Sequence, residues 1–258
     1  GGVKLFSNIN MVIAAALLLF VVVAGPTLMI LTGIGTTALD YVSHLLPLSN
    51  WIGREDDTWY HGWTVFYWAW WISWSPFVGM FIARVSRGRT VREFLIAVLL
   101  VPTVVTLVWM SAFGGTALFQ AANSVGELAN GIGDVSLAMF HMLEQLPLTS
   151  ITSTLAIILV LVFFITSSDS GSLVIDNITA GGKTDAPKSQ RVFWATLEGV
   201  IAGVLLYGGG STALSALQAG AVATGLPFTL VLLLMCFSLY KGLHKEWQQI
   251  NAVPKIAS

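Results

Sequence analysis

Six of the ten tryptophans fall between residues 59 and 74, in the run WYHGWTVFYWAWWISW. An indole face attracts a cation by about 0.5–2 kcal/mol per contact, and more where water is excluded. A fully methylated ammonium has no hydrogen bond to donate, so a cage of such faces is the chemistry that holds it. At about 100° per residue, Trp63, Tyr67, Trp70, Trp74, Phe77 and Phe81 share a helical arc of about 60–80°. Trp59 and Phe66 border the arc on one side and Trp71 on the other, while Trp68 points away. Two plainer readings compete. Trp and Tyr gather at headgroup depth, which accounts for Trp59, Tyr60 and Trp63 but not for Trp70, Trp71 and Trp74, further along the helix. Core packing would be served as well by Leu or Phe, with small residues where helices approach. The deep cluster therefore points to a quaternary-ammonium ligand held by Trp70, Trp71 and Trp74, with Trp63 and Tyr67 also taken as substrate-binding and Trp59 and Trp63 lying toward an outer entrance. His61 and Gly62 shape that entrance rather than carry chemistry.

A second group is the run from Phe163 to Ser172, FFITSSDSGS, at the end of an apolar stretch. Hydroxyls and a carboxylate at membrane depth are costly and mark function by default. A small hard cation such as sodium takes oxygen ligands, and the Thr166 and Ser167 hydroxyls with nearby carbonyls supply some. Equally open is hydroxyl-to-backbone bonding within the helix, with Asp169 already among the inner headgroups. Asp169 is expected to cap a short following helix around 172–178. An integral-membrane enzyme would need paired carboxylates, a His cluster or a Cys–His pair at depth. His44, His61, His141 and His244 are scattered in loops and ends, and the single Cys236 lies in an apolar run.

The elements that position these residues follow from composition. Of 258 residues, 55% are hydrophobic and 10% charged, with a mean hydropathy of +0.80. Ordinary globular chains carry about 25% charged residues, so the deficit places this chain in a bilayer. A crossing needs about 20 mainly apolar residues, and six segments qualify: roughly 10–33, 60–83, 92–113, 148–168, 192–209 and 222–241. Their backbone groups must be satisfied internally, so helices are expected. The fold class is an all-α polytopic membrane protein with six transmembrane helices. Gly25-Pro26, Pro76, Gly79 and Gly208-Gly209-Gly210 are places for kinks or helix ends.

Charge orients the spans. With both ends inside, Lys4, Arg84, Arg87, Arg89, Arg92, Lys183, Lys188, Arg191, Lys241, Lys245 and Lys255 are all cytoplasmic, and of the 12 basic residues only Arg54 is outside. That bias is the positive-inside rule; it explains the basic loops without a nucleic-acid partner, and none is expected. Residues 34–58 include Leu39, Val42, Leu45 and Leu46 on one apolar face, which suggests a helix on the membrane surface. Residues 115–147 form a glycine-bearing outer connection with a short helical pattern from Val135 to Leu143, and 179–190 an inner connector with Gly181-Gly182 and Asp185-Ala186-Pro187. The chain opens Gly1-Gly2-Val3-Lys4, and residues 11–31 are too long for the apolar core of a cleavable signal; it reads as a piece of a longer protein.

The run Gly62 to Gly79, GWTVFYWAWWISWSPFVG, resembles the signature of the betaine/choline/carnitine transporter family. Phe81 to Thr90 is similar to that family's following loop, and Phe163 to Ser170 and Gly225-Leu226-Pro227-Phe228 also fit. The resemblance implies half of a twelve-helix inverted-repeat fold. Residues 1–35 would be the last helix of the first repeat, 36–58 the surface helix and outer loop, 59–242 the second five-helix repeat, and 243–258 a cytoplasmic tail. It implies that Trp70, Trp71 and Trp74 line the substrate pathway, that Thr166 and Ser167, with Phe163 beside them, form a sodium site, and that Phe77 lies near another. It also implies a homotrimer in the plasma membrane, its contacts made by a surface helix at 36–47. The expected activity is secondary active, sodium-coupled transport of glycine betaine, choline or carnitine by alternating access. Proton-coupled choline uptake and ion-independent exchange are the alternatives within the family; a half-protein that only scaffolds or senses lies outside it.

Overall fold

The computed structural model describes residues 2–182 and 187–252, which form helices and turns with no strand among them. In chain order the main elements are α1 (Gly2–Ala24), α2 (Thr27–Ser49), α3 (Phe66–Val85), α4 (Val91–Ala122), α5 (Ala138–Glu144), α6 (Thr149–Thr179) and α7 (Lys188–Ala252). Lys183, Asp185 and Ala186 of the expected inner connector, and Lys255 of the expected tail, lie outside the described residues. The chain divides into two compact units, Gly1–Pro47 with Ala83–Ala195, and Leu48–Ile82 with Thr196–Ser258.

In the first unit α1 packs along α6. Their seam is Leu17 and Val21 with Ala156 and Leu159, joined by Ile30, Ala112, Phe113, Met142 and Leu143 in one buried cluster. The first span does not run to residue 33 as expected. It stops at Ala24, because Pro26 has no N–H to continue the ladder and because Gly25 is wedged in place. A Cβ at Gly25 would stand 2.6 Å from Val21 O and 3.3 Å from Thr116 Oγ1. The chain restarts as α2, which absorbs the expected surface helix and leaves Leu39, Val42 and Leu46 exposed. A capping box starts α4, with Thr90 N–H donating to Glu93 Oε2 at 3.0 Å and Glu93 N–H to Thr90 Oγ1 at 3.3 Å. The buried Gln120 amide donates to Met142 O at 3.0 Å and ties α4 to α5, the short helix expected after the glycines.

By length and apolarity, five described segments can cross a membrane: Leu5–Ala24, Val91–Ala122, Thr149–Thr179, Lys188–Gly209 and Ser215–Gln249. The tryptophan-rich segment expected as a sixth is helical over Phe66–Val85, 20 residues, but falls outside that set. Its indole and phenol rings count as weakly polar on a hydropathy scale, although Trp and Tyr sit readily at membrane interfaces.

In the second unit α3 lies against α7. Of the kink or helix end expected at Gly208-Gly209-Gly210, the end is not found, and α7 is continuous for 65 residues. Glycine in a helix interior is penalised by only about 1 kcal/mol, which long apolar flanks outweigh. A rod of that length reaches about 98 Å, three times the hydrocarbon thickness of about 30 Å. In a bilayer its two apolar stretches are expected to cross separately, bending between Gly209 and Ser215. Spin labels at Thr196→Cys and the native Cys236 would stand about 60 Å apart on a straight helix. The distance expected in lipid by electron–electron double resonance is below about 40 Å; a value near the straight-helix length would show that the rod stays whole.

Candidate functional site

The aromatic helix is built from its outer end inward. Asp56 Oδ1 accepts from Trp59 N–H at 3.2 Å and caps the first turn, Asp57–Trp59. Tyr60–Val65 then forms a π-helical turn, in which Phe66 N–H reaches back to His61 O. Such turns are rare and concentrate at functional sites. This one also widens the turn that sets Trp63 relative to the residues after it, so the single arc expected from Trp63 to Phe81 is regular only beyond Val65. Trp63 and Tyr67 stack nearly parallel, their centroids 5.7 Å apart at 4°. Phe66 meets Trp70 at 5.5 Å and 61°, and Trp74 meets Phe77 at 5.4 Å and 71°.

At the outermost turn the aromatic run already holds a cation. The Arg54 guanidinium sits 5.3 Å from the Trp59 ring centroid and 5.4 Å from that of Tyr60. Its Nη1 donates to Leu48 O at 3.2 Å and its Nη2 lies 3.7 Å from Asp56 Oδ2. Trp59 and Tyr60, read above as a headgroup belt, are thus also the platform for the one basic residue expected on this side.

The closest contact of α3 with α7 is made by small residues. Ser73 Oγ lies 2.6 Å from Ala221 O and 2.8 Å from Ala69 O, and Thr224 Oγ1 donates to Ser73 Oγ at 3.2 Å. A Cβ at Gly225 would come within 3.1 Å of Ala69 Cβ and 3.2 Å of Ala69 O, so the two backbones touch there. Ala69 and Ser73 are one turn apart on a helix, which sets Trp70 and Trp74 beside the seam and Trp71 across from it. All three rings stay open, at 40%, 41% and 67% exposure for Trp70, Trp74 and Trp71. Nearer the outer end, His61, Trp63, Phe66, Tyr67, Gln218 and Val222 line a groove of about 370 Å³. The structure therefore brings Trp63 and Tyr67 together with α7 in one groove, and leaves Trp70, Trp71 and Trp74 as free faces further along α3.

The polar stretch of α6 belongs to the first unit, whereas Phe77 belongs to the second. Thr166 Oγ1 donates to Val162 O or Phe163 O, each at 3.0 Å, and Ser170 Oγ donates to Thr166 O at 2.9 Å. The hydroxyl protons serve the helix, and the oxygen lone pairs are what remains to offer a cation. Ser167 and Phe163 are exposed beside Thr166. Asp169 caps nothing: α6 runs unbroken to Thr179, with Asp169 exposed on its flank. Among the described residues no three His, Cys, Asp or Glu side chains gather as a metal site. The carboxylate the sequence did not single out is Asp176, fully buried on the last turn of α6 and 3.7 Å from Arg191 Nε.

The profile of the family described as "BCCT, betaine/carnitine/choline family transporter" matches residues 1–248. A glycine betaine/proline/choline/ectoine transporter of Vibrio parahaemolyticus is 65% identical over 248 residues, covering 95% of this chain and 44% of the relative. A glycine betaine transporter of the same organism is 66% identical over 249 residues, covering 96% and 47%. A glycine betaine transporter of Bacillus subtilis is 44% identical over 261 residues, covering 99% and 49%. The chain spans a little under half the length of these relatives.

Proposed function

We propose, on the premise that this chain belongs to the betaine/carnitine/choline transporter family, that it is the second half of a secondary transporter taking up glycine betaine, or a kindred quaternary-ammonium solute, with sodium. The observation that carries the reading is the division of labour on α3. Small residues, Ala69 and Ser73, make its contact with α7, while Trp70, Trp71 and Trp74 keep their faces open. Arg54 stacked on Trp59 and Tyr60 supports the same chemistry at the outer end. Trp63 and Tyr67, with Gln218, would receive the solute first, and the deep rings would form one wall of the cage. Glycine betaine is favoured as the solute because each of the relatives above carries it in its name.

For sodium, the support is the donor set: the hydroxyl oxygens of Thr166 and Ser167 beside Phe163 on α6, with Phe77 proposed near a second ion. The proposal places the ends of this segment in the cytoplasm and the protein in the plasma membrane, which the charge bias supports, and has it work by alternating access around a midplane site. Assembly as a homotrimer is proposed through α2, whose Leu39, Val42 and Leu46 are exposed.

Uptake of radiolabelled betaine, choline and carnitine by the complete transporter in proteoliposomes, with and without a sodium gradient, tests the reading. Sodium-driven betaine uptake is expected. Uptake driven by a proton gradient, or only in exchange for internal solute, would replace sodium with the alternatives named above. The double variant Thr166→Ala/Ser167→Ala is expected to raise the sodium concentration for half-maximal uptake about tenfold, as loss of two oxygen donors implies. An unchanged sodium requirement would remove these hydroxyls from the ion site.

A further inference from the structure

At the last turn of α6 two kinds of polar contact stand side by side. Thr179 Oγ1 accepts from Gln190 Nε2 at 2.9 Å and from Trp194 Nε1 at 3.1 Å, and donates to Ile175 O at 2.8 Å. That hydroxyl is saturated, and it stitches α6 to the first turns of α7. One turn back, Asp176 is 0% exposed, yet among the described residues neither of its carboxylate oxygens has a hydrogen bond. Its partner is Arg191, whose Nε lies 3.7 Å from Asp176 Oδ2 and is not hydrogen-bonded either. Asn177 Oδ1, next along the chain, is a fourth buried polar atom without a hydrogen bond.

A permanent anchor would not be built this way. Apolar side chains in place of a buried ion pair are often as stable or more so, because desolvating two charges offsets much of their attraction. The neutral stitches at Thr179 already fasten the two helices. A charge pair has a distinct use where the contact must separate. In water both charges are solvated, which compensates the attraction lost, so the paired and the hydrated arrangements lie close in free energy. An apolar contact would favour the closed arrangement alone.

The geometry points to Asp176 and Arg191 as an ionic latch at the inner end of the α6–α7 hairpin, paired when that end is sealed and hydrated when it opens. The latch rests on the alternating-access reading above. Its test uses the complete transporter with Cys236→Ser, which removes the exposed native thiol, and Asn177→Cys as reporter at a position now 7% exposed. A membrane-impermeant maleimide is applied to the cytoplasmic face of inverted vesicles, and betaine uptake is measured in the same preparation. Asp176→Asn and Arg191→Gln are each expected to speed labelling about tenfold, since the first removes the pair from a half-exposed Arg191 and the second leaves the buried Asp176 charge alone. The exchanged pair Asp176→Arg/Arg191→Asp is expected to return within about threefold of the parent, the signature of a pairwise contact. Single variants that label at the parent rate, or an exchanged pair as fast as the singles, would overturn the latch. Should the singles fail to accumulate, Asp176→Glu and Arg191→Lys keep both charges and alter only their reach; they are expected to speed labelling, and parent rates in both would overturn it too. A parent that labels as expected but takes up no quaternary ammonium would leave the latch standing and remove the transport reading.

Discussion

Replacing Trp71 and Trp74 together with leucine in the complete transporter is expected to raise the betaine concentration for half-maximal uptake by about 30- to 100-fold. Two desolvated cation–π contacts of about 1–1.5 kcal/mol each give that factor, at tenfold per 1.4 kcal/mol. Abundance in the membrane should change little, because neither ring forms the contact of α3 with α7, which is made by Ala69 and Ser73. Phenylalanine at the same two positions keeps a weaker π face and should fall between tryptophan and leucine. Trp68→Leu is the control: its ring is also exposed, at 64%, but points away from the arc. Radiotracer saturation curves for the four proteins decide the matter. An unchanged half-saturation in the leucine double variant would sink the cage. A lower maximal rate at unchanged half-saturation would mean that these rings serve the movement of α3 rather than the binding of solute.

Much of this was legible because certain residue types are expensive where they stand. Indoles in number are chemistry as much as structure, so Trp70, Trp71 and Trp74 could be singled out before any fold was known. Gly25-Pro26 could be read as a break, since proline removes a donor whatever surrounds it. Gly208-Gly209-Gly210 does not end the helix, because glycine only weakens it and neighbouring apolar stretches carry α7 through. Asp169 was taken for a cap, but back-bonded hydroxyls at Thr166 and Ser170 accompany an unbroken α6. The π turn at Tyr60–Val65 has no local signature in residue spacing. Asp176 was passed over altogether, because its burial depends on which helices surround α6, a property of packing that no spacing along one helix contains.

Gly225→Val is expected to be the most damaging substitution that touches no ring. A Cβ there would stand 3.1 Å from Ala69 Cβ and 3.2 Å from Ala69 Cα and O, so the obstacle is backbone and α3 itself has to move. Overpacking of this kind destabilises by about 1–3 kcal/mol, and the shift also parts Ser73 from Ala221 and Thr224. Trp70 and Trp74 follow directly on Ala69 and Ser73, so any rotation of α3 re-aims them. Uptake at low betaine is expected to drop at least about tenfold, the larger share from misplaced rings, since small displacements at a site weaken it steeply. A milder pair separates placement from stability. Gly225→Ala should weaken apparent affinity while the protein still accumulates, and Ala69→Gly added to it should restore much of the loss by removing the nearest atom in its path. The cage variants delete aromatic faces and leave the helix where it is; the seam variants keep every face and move the helix. If Gly225→Ala weakens betaine affinity at normal abundance and Ala69→Gly gives no relief, the seam does not set the rings, and the open faces of α3 owe their position to something else.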